Sequence, residues 1–128
     1  LHSFEAVFSP RGEDGKPQLV WDRETGKVFT DVAKTWSKYD IRLILESSWK
    51  DLEPKLRGKL HVFMGDQDTF YLEGSTVLLK QSLAQLGSDA RIEIMAGRDH
   101  FNLLPPELQD RIRSEMVAAF LKHHPEGR

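Results

Sequence analysis

Two short apolar segments, each running into a charged turn, constrain this chain more than any other feature. The first is Lys59–Met64, followed by Gly65-Asp66-Gln67-Asp68. The second is Ala90–Met95, followed by Ala96-Gly97-Arg98-Asp99-His100. Lys59–Met64 reads as a strand of the buried type. In the second segment Ile92 and Ile94 alternate with Arg91 and Glu93, the period of a strand with one more polar face near a sheet edge. Between the two, Tyr71–Leu86 places Leu72, Thr76, Leu79, Leu83 and Leu86 at helical spacing, and Gly87 supplies a stop. Strands joined through a helix pair in parallel by a right-handed crossover. Pro105-Pro106-Glu107 opens a last helix, because proline's missing N–H costs nothing in a first turn. Its buried face is expected to be Ile112, Met116, Ala119 and Phe120, and the tail His123–Arg128 ends it. The fold class is therefore α/β, with a parallel strand–helix–strand–helix unit over residues 58–128.

In an open α/β sheet, ligands bind outside the carboxyl ends of the strands. Both charged turns lie at such ends. Gly65 permits a sharp turn, after which Asp66 and Asp68 project over the sheet edge. Neighbouring parallel strands are about 4.8 Å apart, so a carboxylate of the first turn reaches an imidazole nitrogen of the second. A carboxylate in that place fixes the histidine tautomer and stabilises its cation, and the ring then serves as general base and acid near neutral pH. His100 with either Asp66 or Asp68 is the candidate catalytic pair, and spacing does not separate the two aspartates. The plainer readings are a turn histidine paired with its neighbour Asp99, and carboxylates that cap the helix starting near Tyr71.

Residues 1–57 form a different region, an irregular N-terminal excursion with short helices, a lid or an insertion in type. Ser9-Pro10-Arg11-Gly12, Asp14-Gly15-Lys16-Pro17 and Glu24-Thr25-Gly26-Lys27 are turn signals around the short apolar run Gln18–Trp21. Asp31 is positioned to cap a helix from Val32 to Ser37, and Asp40 a second one carrying Ile41, Leu43, Ile44, Leu45 and Trp49. Glu53-Pro54 and Arg57-Gly58 break that pattern. Trp21 is expected to pack its own loop, and Trp36 and Trp49 to pack on the body of the domain.

Composition removes several functions. The 128 residues amount to one domain or part of one. A net charge of −2 gives no electrostatic footprint for nucleic acid, and no apolar run is long enough for a membrane span. Residues 1–8 lack the basic and apolar regions of a signal peptide. With no cysteine there are no disulfides, thiolate nucleophiles or cysteine zinc sites. His123-His124 point apart on a helix, and His2 and His61 have no companions at ligand spacing, so no metal or cofactor is expected.

The turn Gly65–Asp68, about thirty residues before Asp99-His100-Phe101, resembles the C-terminal part of the α/β-hydrolases, and bacterial esterases of that superfamily most of all. The wider stretch from Phe4–Pro10 through Leu60 to Phe101, most of the chain, shares the likeness. The resemblance implies a partial α/β-hydrolase-type fold and a carboxylic ester hydrolase whose triad runs in the order nucleophile, acid, histidine. Asp68, last of the Gly-x-x-Asp turn, maps to the acid and His100 to the histidine. The substrate implied is a small ester. The chain departs from the family in one large respect: it has no Gly-x-Ser-x-Gly elbow, and neither Gly74-Ser75 nor Gly87-Ser88 fits. The expectation is a C-terminal piece of a hydrolase, inactive alone, that works with the upstream part of the same polypeptide carrying the serine.

Two rivals remain in the sequence. Asp66-Gln67-Asp68-Thr69 imitates the Asp-x-Asp-x-Thr loop of haloacid-dehalogenase-like phosphotransferases, though Gly65 stands where an apolar residue belongs. Alternatively the chain is a non-catalytic, hydrolase-like binding module, and an exposed sheet edge pairs it with a second copy.

Overall fold

A computed structural model describes residues 2–124, and the final segment Pro125–Arg128, read above as the end of the last helix, lies outside the described residues. The order is α1 (His2–Phe8), α2 (Thr30–Trp36), a 3₁₀ turn (Ser37–Tyr39), α3 (Ile41–Leu56), β1 (His61–Gly65), α4 (Glu73–Gln85), β2 (Arg91–Met95) and α5 (Pro106–His123). The architecture is mixed α/β, and its two strands form a parallel sheet with alternating strand and helix. No helix among the described residues is long and apolar enough to cross a membrane. The chain divides into two compact units. One holds the described residues up to Gly58 together with Gln81–Asp89, the other Lys59–Lys80 and the described residues from Ala90 onward.

The second unit carries the strands. His61 pairs with Arg91 and Gly65 with Met95, so both strands end at the same level and release their turns side by side. Ile92 and Leu108 are its buried apolar side chains. Two expectations need correction. β1 is half-buried along Val62–Met64 rather than buried, because it pairs with one strand only. The face of α5 at Met116, Ala119 and Phe120 is exposed and Ile112 half-buried; only the first turn of that helix, at Leu108, is enclosed. The far part of α5 is instead tied by charge. Glu115 accepts from His61 at 2.9 Å, and Arg111 donates to Glu93 at 2.8 Å while lying over the Phe63 ring. His61 thus gains an acidic companion that its sequence neighbours do not supply.

In the first unit a buried carboxylate organises the loop that composition marks as irregular. Glu5 of α1, a helix the sequence reading did not anticipate, accepts from the Val20 N–H at 3.0 Å and from the Arg23 guanidinium. The Val20 bond above all, opposed by burial and helped by Arg23, holds this carboxyl below its ordinary range. Residues 10–28 contain only two isolated antiparallel bridges, Arg11 with Pro17 and Trp21 with Val28. α2 begins at Thr30 after Phe29, so Asp31 is a first-turn residue and not the cap. Asp40 does cap α3, accepting from the Leu43 N–H at 3.1 Å. Pro54 does not end α3, which continues to Leu56. Proline there forfeits one bond, to the carbonyl four residues back, and the Arg57 N–H closes the end on the Glu53 carbonyl at 3.0 Å. The irregularity falls instead at Ser48, whose φ of −125° is not helical.

Leu45 and Leu83 are buried, and Ser82 donates to Glu46 at 2.6 Å. Trp36 lines a cleft of about 450 Å³ with Phe4, Phe8 and Tyr39. Its Nε1–H donates to Ser9 at 3.0 Å, and Phe8 touches both Trp36 and Tyr39, with centroids 5.6 and 4.9 Å apart. These rings pack on one another.

Candidate acid–histidine site

The turns leaving β1 and β2 are laced together before any functional side chain is considered. The Asp66 N–H donates to the Met95 carbonyl at 3.1 Å and the Gln67 N–H to the Arg98 carbonyl at 3.0 Å. Gly65 lies directly beneath that second carbonyl. A Cβ there would stand 2.0 Å from the Arg98 oxygen, so only glycine lets the loops approach so closely. Asp66 adds the third tie: its Oδ1 accepts from the Gly97 N–H at 2.7 Å, and Gly97 itself has φ of +66°.

Across this junction Asp68 meets His100. Asp68 Oδ2 and His100 Nδ1 are 3.0 Å apart. The carboxylate side chain is 1% exposed and the imidazole 45%, so a buried acid holds a ring that reaches solvent. The other carboxylate oxygen, Oδ1, accepts from the Phe70 N–H at 2.9 Å and the Leu72 N–H at 3.4 Å. Burial pushes the Asp68 carboxyl up. The Phe70 N–H, His100 and the Leu72 N–H together outweigh it and leave the carboxyl below its ordinary value. An ionised Asp68 can only accept, so Nδ1 of His100 must carry the proton. The neutral ring is thereby set with Nε2 unprotonated, and no hydrogen bond to Nε2 occurs among the described residues.

The histidine is also steadied from its own side. Asp99 Oδ1 accepts from the Phe101 N–H at 2.8 Å and the Asn102 N–H at 2.9 Å, while Asn102 Oδ1 accepts from the Asp99 N–H at 2.8 Å. Asp99 therefore serves its own loop and is not the partner of His100. The sequence reading passed over Asn102, although an Asp three residues before an Asn is the spacing of such side-chain turns. It also passed over Tyr71, whose φ of +59° lies in the left-handed region. That conformation costs a non-glycine residue about 1–2 kcal/mol and carries no signal in the residue type. The bonds from Phe70 and Leu72 to Asp68 Oδ1, with the Tyr71 N–H on the Asp68 carbonyl at 3.0 Å, hold it there.

The two aspartates of the first turn thus have separate duties. Asp68 faces the imidazole, and Asp66 binds backbone on the neighbouring loop. No cluster of three or more histidine, aspartate or glutamate side chains able to hold a metal occurs among the described residues. The arrangement can fix a tautomer, accept a proton at Nε2 and stabilise the resulting imidazolium. Compared with family models, curated proteins and solved structures, the chain has no significant match.

Proposed function

We propose that this chain supplies the acid and the histidine of a nucleophile–acid–histidine triad, and that the polypeptide it belongs to hydrolyses a small carboxylic ester with a serine located upstream. The observation that carries this reading is the 3.0 Å bond from the buried Asp68 to a histidine whose other nitrogen stands free. His100 Nε2 takes the proton of the serine hydroxyl as its oxygen adds to the ester carbonyl. The same proton passes to the departing alcohol when the carbon–oxygen bond breaks, leaving an acyl-serine. A water molecule, deprotonated by Nε2 in turn, attacks that ester, and as the acyl–oxygen bond breaks Nε2 returns the proton to the serine oxygen, releasing the acid and the free serine. Asp68 acts throughout as a positioning group that stabilises the imidazolium. Because no Gly-x-Ser-x-Gly elbow lies in these residues, the chain alone is expected to be inactive.

The test is hydrolysis of p-nitrophenyl acetate by the complete polypeptide. His100→Ala should lower kcat at least about a thousandfold with the fold retained. Asp68→Asn should be severe and Asp66→Asn mild. Turnover retained in His100→Ala would reject the reading, and the reverse order of the two aspartates would move the acid to Asp66.

A second reading is a non-catalytic, hydrolase-like module. The observation in its favour is that each strand of the sheet is paired on one side only, an arrangement that invites a further strand or a second copy of this chain. Sedimentation equilibrium decides on self-pairing: a monomer at high micromolar concentration removes it.

A further inference from the structure

Two aromatic side chains in contact with His100 are largely in solvent: Phe70 is 57% exposed and Phe101 79%. Scattered single apolar residues are ordinary on a surface, whereas a group of large ones marks a binding place. Phe70 meets the imidazole edge-on, with centroids 4.8 Å apart and planes at 87°. Phe101 meets it at 5.6 Å and 79°, and the two phenyl rings are 6.3 Å from each other at 60°. The imidazole is thus framed by two phenyl rings that are largely exposed among the described residues.

Asp68 also builds this frame. The oxygen that does not touch His100 holds the N–H groups of Phe70 and Leu72, on either side of the strained Tyr71. A backbone kept in an unfavourable conformation by a buried carboxylate, with aromatic rings turned outward, is arranged for contact and not for packing.

We propose that Phe70 and Phe101 form the seat for an aromatic ring of the ester substrate, with the ester carbonyl beside His100 Nε2. This rests on the hydrolase reading above and names its substrate class. The rings offer edges and faces at mutual inclinations of 60° to 87°, the geometry in which a third ring gains edge-to-face or offset contact. The frame is also of small-molecule size. A protein partner would need about 20–30 residues on each side, and this patch is a few side chains around one imidazole.

The test is an NMR titration of the chain with benzyl acetate, and separately with ethyl acetate, following the Phe70, Phe101 and His100 ring signals. Benzyl acetate should shift all three sets saturably and bind about tenfold more tightly than ethyl acetate. Phe70→Ala and Phe101→Ala should each weaken benzyl acetate about fivefold. Both side chains are largely exposed, so the fold and the His100 Nδ1–H signal should survive in both variants. Equal affinity for the two esters, shifts confined to other residues, or indifference to both substitutions would overturn the seat. Absence of the downfield Nδ1–H signal in the unsubstituted chain would instead count against the acid–histidine pair, whatever the titration shows.

Discussion

Gly65→Ala is the sharpest test of how the two turns are joined. The added Cβ would lie 2.0 Å from the Arg98 carbonyl oxygen, 2.6 Å from its carbon and 3.2 Å from its Cβ. A carbon and a carbonyl oxygen rest no closer than about 3.3 Å, so the loops must part by about 1.3 Å. The obstacle is backbone, and no flexible side chain can swing away. The first loss is the bond from the Gln67 N–H to that same oxygen, now 3.0 Å, and the Gly97 tie to Asp66 lies beside it. Overpacking costs about 1–3 kcal/mol and each lost bond about 1 kcal/mol, giving about 2–5 kcal/mol in all. That is a large share of the about 5–15 kcal/mol that holds a domain together. Thermal unfolding followed by circular dichroism should show a Tm lower by about 10 °C or more. The His100 Nδ1–H signal should weaken as well, because a 3.0 Å bond does not survive a displacement of that size. Gly74→Ala is the control: its Cβ would meet open space in α4, and stability should stay level or rise slightly. A Gly65→Ala protein within about 0.5 kcal/mol of the parent, with the Nδ1–H signal intact, would refute the close approach.

Other outcomes follow from the same geometry. The Asp68 carboxyl is held below its ordinary value, so its stabilising contribution is complete above the unfolded carboxylate range near about 4 and is lost as pH falls through the lower folded value. The Nδ1–H signal should therefore persist at pH 5 and disappear only in stronger acid; loss between pH 7 and 5 with the fold intact would contradict the arrangement. Leu83→Ala, at one of the most buried apolar side chains, should cost about 2–5 kcal/mol in urea unfolding, while Leu78→Ala on the exposed side of the same helix should cost much less. Glu5→Gln keeps the acceptor for Val20 but removes the charge facing Arg23, which also lies over Trp21. Trp21 fluorescence should change with little effect on the His100 signals, and unchanged fluorescence would place the loop under other control.

The α/β order was legible because three independent signals agree in residues 58–100: strand composition, helical spacing and a glycine stop. The meeting of Asp68 with His100 was legible for the same reason, since the crossover brings both turns to one edge. The choice between Asp66 and Asp68 was not. It depends on the Gly97 N–H, which claims Asp66, and backbone donors leave no trace in residue type. The outer part of α5 misled through its periodicity. Ile112, Met116, Ala119 and Phe120 are spaced for burial, but spacing says which residues share a face and not whether anything lies against it. α1 escaped notice because Glu5, the residue that anchors it, looks in sequence like any surface carboxylate.

The parallel pairing also sets when the site comes into being. Asp68 and His100 are 32 residues apart, and no hairpin can bring β1 and β2 together. The crossover must close as a loop before the first ladder bond repays its entropy, which places this contact among the late events of folding. A chain emerging from synthesis or recovering from denaturant therefore holds neither an oriented imidazole nor a buried carboxylate. The recovery time of the Nδ1–H signal after a denaturant jump is a clock for the completed fold.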